Sequence, residues 1–180
     1  GTVSDGVHEN LSIDDLSRLR LVQGGEYRLT ETTAPEGYAL IEGTFQFRVE
    51  TDGTLTPTGD EHYVSNGSFE VADNRLGIVA ADYPVVLSFL KAGSTADGGV
   101  VLLAGAEFEI IPEEGSAFAG GSTDPVTVTT GQDGTARISG KLVTGCSYTI
   151  RESKAPDGYI ASTGVLHVTV QLDGKLAIDN

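Results

Sequence analysis

EYRLTETTAPEGYAL, from Glu26 to Leu40, returns in this chain as SYTIRESKAPDGYIA, from Ser147 to Ala161. Tyr27 and Tyr148 set the offset at 148 − 27 = 121 residues, and the register runs without a gap from Leu21/Leu142 to Leu55/Leu176. A match of that length, with Tyr, Glu, Ala-Pro and Gly-Tyr at fixed positions, marks an internal repeat. It divides the 180 residues into two small domains of one type rather than one large domain.

Around the repeat the dominant pattern is alternation of period two, which predicts half-buried strands. Tyr27, Leu29 and Glu31 share a face, as do Phe45, Phe47 and Val49. In the second half the same holds for Leu87, Phe89 and Lys91, then Ala106, Phe108 and Ile110, then Tyr148, Ile150 and Glu152. Leu166, Val168, Val170 and Leu172 follow, and Leu176, Ile178 and Asn180 close the chain. Asp-Gly pairs at Asp52, Asp133 and Asp173 supply hairpin turns. Short strands at this spacing predict an all-β protein of tandem antiparallel sandwiches. The boundary falls near Tyr83-Pro84, giving domains 1–84 and 85–180, and Ala117–Pro125 reads as a mobile loop. Ile13–Leu21 is the one stretch with helical appearance.

Subtracting the offset from Lys91 gives position −30, so the opening strands of the second domain have no counterpart in the first. The first domain is therefore incomplete or atypical. Either preceding sequence supplies those strands, or the insertion at residues 60–84 replaces them.

A net charge of −15 argues against nucleic acid, whose phosphates would be repelled. No apolar run is long enough to insert in a membrane, and no signal peptide is present. The lone Cys146 excludes an internal disulfide, so a domain working outside the cell needs another staple. Cys146 shares parity with Tyr148, has no histidine near it in sequence, and reads as an inert, half-buried thiol. His8, His62 and His167 lack zinc spacing, and the acidic Gly59–Tyr63 stretch lacks a calcium-loop pattern. No metal or cofactor is expected.

Lys91, Glu152 and Asn180 stand on core-facing parity, where charge is expensive unless paired. A site that excludes water favours the neutral amine and the neutral acid. A neutral Lys91 amine is a nucleophile. A protonated Glu152 can polarise the Asn180 carboxamide and pass a proton to the leaving group. Attack releases ammonia and leaves an amide between Lys91 and Asn180, once per molecule. Blander readings stand beside this one: Lys91 can snorkel to solvent, Glu31 and Glu152 can accept backbone hydrogen bonds, and Asn180 can be a mere terminus.

The pattern Tyr27-x-Leu29-x-Glu31-x-x-Ala34-Pro35-x-Gly37-Tyr38, with Leu103-x-Gly105-Ala106-x-Phe108-x-Ile110 in the second half, resembles the Cna B-type (SpaA-like) domains of Gram-positive surface proteins and pilins. The resemblance is strong over residues 85–180 and moderate over 21–55. It implies Ig-like sandwiches and a spontaneous isopeptide bond, with Lys91 and Asn180 as the linked pair and Glu152 as its proton shuttle. It further implies a stalk, adhesin or pilus segment outside the cell, anchored to the wall by a signal outside this chain, with neighbouring domains as partners. The alternative is an adhesin module that binds a host matrix protein or glycan, which exposed Tyr63 and Phe69 would favour. The first copy departs from the pattern: Glu31 is present, but residues 1–84 contain no lysine, and the acceptor position falls on Gly59 or Asp82. The chain shows no sorting signal and no pilin polymerisation motif.

Overall fold

A computed structural model describes residues 11–12, 21–31, 33–41, 43–58, 67–72, 75–80 and 82–179. Every element among them is a strand, and neighbouring strands pair antiparallel. Two compact units result: residues 1–35 with 39–83, and Glu36–Tyr38 with 84–180.

In the first unit β1 is Leu11–Ser12, β2 Glu26–Leu29, β3 Phe45–Val49, β4 Leu55–Pro57, β5 Gly67–Ala72 and β6 Arg75–Ala80. Strands β2-β3-β4 form one sheet, and alternation along β3 and β4 buries Phe45, Phe47, Val49 and Leu55. The stretch that follows the repeat is a hairpin, β5–β6, and β6 pairs with β1 in a separate three-stranded sheet. Apart from Leu21, the helical-looking stretch 13–21 lies outside the described residues, as do Gly59–Tyr63 and His8.

In the second unit β7 is Val86–Leu90, β8 Ala92–Ser94, β9 Val100–Leu102, β10 Glu107–Pro112 and β11 Val126–Thr129. Then come β12 Thr135–Ser139, β13 Ser147–Lys154, β14 Val165–Val170 and β15 Leu176–Asp179. A five-stranded sheet, β11-β10-β13-β14-β15, supplies Ile110, Tyr148, Ile150, Val168 and Val170 to the core. The two-stranded sheet β12-β7, with the residue before it, supplies Val85, Leu87 and Ile138. Sheet packed on sheet across one apolar layer is the arrangement that period-two alternation demands.

The 121-residue offset in sequence is also an offset in strand register. Tyr27 faces Phe47 and Tyr148 faces Val168; Phe47 faces Pro57 and Val168 faces Ile178. Both copies thus pair the same three strands in the same phase.

Two expectations need correction. Leu172 and Ile178 were placed inward by parity, yet they are 66% and 56% exposed. Leu172 lies in the turn where the Gly174 amide bonds Gln171 O, and Ile178 is on the edge strand of a sheet wider than its two-stranded partner. The segment Ala117–Pro125, read as a mobile loop, is anchored over its first half. Phe118 is in the core, stacked on Tyr148 with ring centroids 5.3 Å apart, and the Ala119 amide bonds Lys141 O at 2.9 Å. The small residues around Phe118 hid a single apolar anchor.

Candidate functional site

Lys91 follows the last residue of β7, with its backbone held on both sides. Its amide donates to Gly134 O and its carbonyl accepts from the Leu103 amide, each at 2.9 Å. Gly134 makes that approach possible. Its φ is +71°, and a Cβ there would lie 2.9 Å from both Lys91 O and Leu102 Cβ. The Asp133-Gly134 turn therefore fixes the lysine as well as reversing the chain.

Glu152 lies on β13 with Phe108 opposite it on β10, and Phe108 meets Phe89 edge to face at 4.7 Å. Into this aromatic surround the Lys91 ammonium nitrogen reaches Glu152 Oε2 at 2.8 Å. The Glu152 side chain has no solvent exposure, and that of Lys91 is 16% exposed. The Ser162 amide donates to the same Oε2 at 2.6 Å. Glu152 Oε1 is buried and has no hydrogen-bond partner among the described residues. A buried carboxyl with one oxygen accepting two hydrogen bonds and the other accepting none is costly, on the order of 1–3 kcal/mol or more. Such a site calls for one more polar group. Chemically, an amine and a carboxyl in contact away from water can exchange a proton directly.

Of the three residues singled out from sequence, the structure brings Lys91 and Glu152 together; Asn180 lies outside the described residues. In the first copy the Ile41 amide donates to Glu31 Oε2 at 2.9 Å, which is the Ser162–Glu152 bond displaced by 121 residues. Of its two acceptor positions, Asp82 is buried and Gly59 lies outside the described residues. The amide that holds each motif glutamate was missed in sequence, although the repeat itself, aligning Ile41 with Ser162, contained the signal.

A second missed pair is the motif tyrosine. Tyr148 Oη accepts from the Val143 amide at 2.9 Å and donates to Ala117 O at 2.7 Å. Tyr27 Oη accepts from the Val22 amide at 2.6 Å, again at the same offset. Burial pushes the Tyr148 phenol up to about 12, against the opposing Val143 hydrogen bond. A phenol whose folded value is raised binds its proton more tightly when folded. Its contribution is complete below about pH 10 and is lost as pH climbs through about 12. Ultraviolet titration should therefore show a phenol ionising near pH 12, a step that Tyr148→Phe should remove.

Cys146 is half-buried. His167 Nδ1 lies 2.7 Å from Glu113 Oε1, which also accepts from Thr149 Oγ1, and these bonds hold the Glu113 carboxyl below its usual value. No group of three or more metal-ligating side chains occurs among the described residues. Among the described residues there is no helix long and apolar enough to cross a membrane.

Residues 15–62 and 90–180 match a family described as SpaA: Prealbumin-like fold domain. No curated protein matches significantly. Among solved structures, the pilus adhesin RrgA of Streptococcus pneumoniae is 24% identical over 52% of this chain and 10% of its own, with a TM-score of 0.40. A C-terminal fragment of the pilus adhesin SpaC from Lactobacillus rhamnosus GG is 23% identical over 87% of this chain and 65% of its own, with a TM-score of 0.42. The open conformation of SpaC is 26% identical over 86% and 21%, with a TM-score of 0.37. The chain spans only part of each of these proteins.

Proposed function

The chain belongs to the SpaA prealbumin-like domain family, and from that premise we propose that it is a stalk or pilus segment of a Gram-positive surface protein, locked by an intramolecular isopeptide bond. In this reading it consists of two modules, 1–84 and 85–180, works outside the cell, and is held at the wall by sequence elsewhere. Its partners are neighbouring modules of the same assembly. Its chemistry is a single self-linking event rather than turnover.

The observation that carries the reading is the 2.8 Å contact between Lys91 Nζ and the buried Glu152 side chain, whose second oxygen has no hydrogen-bond partner among the described residues. In this reading Asn180, the residue after β15, is the missing group. Strand β15 ends with Asp179 opposite His167 on β14. In the neighbouring pair, Leu166 of β14 faces Ile150, two residues from Glu152 on β13. The Lys91 nitrogen, made neutral by proton transfer to Glu152, attacks the Asn180 carboxamide carbon. A C–N bond forms, Glu152 returns a proton to the departing nitrogen, and ammonia leaves. In this reading both partners belong to one folded module, so proximity supplies much of the rate.

Such a bond closes a loop of 180 − 91 = 89 residues. Unlike a disulfide, it survives reductants, which suits a chain with one cysteine. It also joins the first and last strands of the module, so tension bypasses the sheet. The first module, with Glu31 but no lysine of its own, forms no such link within itself.

The test is the intact mass of the purified chain, denatured and reduced. A deficit of one ammonia is expected. The full calculated mass would sink the cross-link and leave an adhesin module as the better reading.

A further inference from the structure

In the second unit the buried polar residues, among those described, are Glu152 and Thr130. Thr130 follows β11, and its hydroxyl is used in both directions. Oγ1 donates to Leu103 O at 2.7 Å and accepts from the Ala106 amide at 3.0 Å. Its backbone binds the same segment, the amide donating to Ala106 O and the carbonyl accepting from the Gly105 amide, each at 2.9 Å. Four hydrogen bonds thus tie one residue to the connection between β9 and β10. The position calls for a hydroxyl, because one small group must donate to a buried carbonyl and accept from a buried amide at once.

That connection and the turn after Thr130 are the two segments that hold Lys91. The Leu103 amide donates to Lys91 O, and Gly134 O accepts from the Lys91 amide. Between Thr130 and Gly134 the chain is closed on itself: the Gly134 amide bonds Gly131 O and the Gly131 amide bonds Thr135 O, each at 2.9 Å. A circuit results that runs from Lys91 to Leu103, to Thr130, through the turn to Gly134, and back to Lys91. The far end of the tied connection matters as well. Ala106 has no exposure and stands two residues before Phe108, which faces Glu152 after a register shift between Glu107 and Phe108. One buried threonine thus anchors, through its neighbours, both the backbone that carries the amine and the start of the strand that lies against the acid.

We propose that Thr130 is a positioning residue of the self-linking reaction: by tying Leu103 to the Gly131–Gly134 turn, it holds the Lys91 backbone where the amine meets Glu152. A lysine side chain is a flexible stem, so the place of its nitrogen depends on how firmly the backbone beneath it is held. Proximity is the source of the rate, and a misplacement of about 1 Å can cost roughly a hundredfold. Thr130→Val keeps the volume but leaves Leu103 O and the Ala106 amide without the hydroxyl, which opens the circuit on the side of Lys91 O.

This proposal rests on the cross-link reading, and the experiment separates the two. The full chain is made by cell-free translation and synthesis is stopped. Loss of ammonia is then followed by intact mass, while pulse proteolysis gives the folded fraction of each sample. The rate per folded molecule should fall at least about tenfold in Thr130→Val and stay within about threefold of the unaltered chain in Thr130→Ser, which keeps the hydroxyl. Tyr148→Phe, which costs stability elsewhere in the same unit, should link at the unaltered rate. A full rate in Thr130→Val, equal slowing in Tyr148→Phe, or no rescue by Thr130→Ser would each overturn the positioning role. Should Thr130→Val not fold, Gly134→Ala opens the circuit from its other side by placing a Cβ 2.9 Å from Lys91 O. The same slowing is expected there, and a full rate would overturn the proposal. An unaltered chain that keeps its ammonia counts against the cross-link itself, whereas one that links no faster than the variants counts against Thr130 alone.

Discussion

Replacing Glu152 by Gln is expected to leave Lys91 unlinked, so that the denatured variant keeps its full calculated mass. Gln preserves volume and can still accept the Ser162 amide bond that Glu152 Oε2 accepts at 2.6 Å. It cannot take a proton from the Lys91 amine or return one to the leaving nitrogen. The fold should therefore assemble and the reaction stop. Loss of the 89-residue closure removes on the order of 4–5 kcal/mol by chain entropy, borrowing the relation established for disulfides. By the same reckoning thermal unfolding of the second unit should fall by roughly 15–40 °C, and protease resistance should drop with it. Lys91→Ala should do the same by removing the nucleophile. A Glu152→Gln chain that still loses ammonia would show that the carboxyl has no part in the transfer.

The second large effect is expected at the motif tyrosine. Tyr148 is fully buried, and its hydroxyl ties the Val143 amide to Ala117 O, joining the turn before β13 to the Phe118 anchor. Truncation to Ala leaves a cavity and two backbone groups without their partner, so a loss of about 3–5 kcal/mol is expected by denaturant unfolding. Tyr148→Phe keeps the ring stacked on Phe118 and should cost about 1–3 kcal/mol. Tyr27 makes the corresponding bond to Val22 but is only half-buried, so Tyr27→Phe should cost less. Equal losses in the two copies would contradict the difference in burial between them.

The two copies show how far repetition carries and where it ends. Their three shared strands, their register, the amide bond to the motif tyrosine and the amide bond to the motif glutamate all recur at one offset. What differs is the environment of each strand. Strand β13 is flanked by β10 and β14, whereas among the described residues β2 pairs with β3 alone. The same side chains are accordingly buried in one copy and half-buried in the other.

By itself the sequence determined the local and periodic features: the repeat, its phase, the hairpin turns, and the parity that put Lys91 and Glu152 on inward faces. These depend on chain stereochemistry and on which residues shun water, and both can be read along a single strand. Tertiary structure alone decided which strands become neighbours across long separations. It placed the Lys91 nitrogen 2.8 Å from a residue 61 positions away, left Ile178 uncovered at a sheet edge, and drew Phe118 out of a Gly-rich stretch into the core. A two-residue period states which way a side chain points, and only the packed layers state what it meets there.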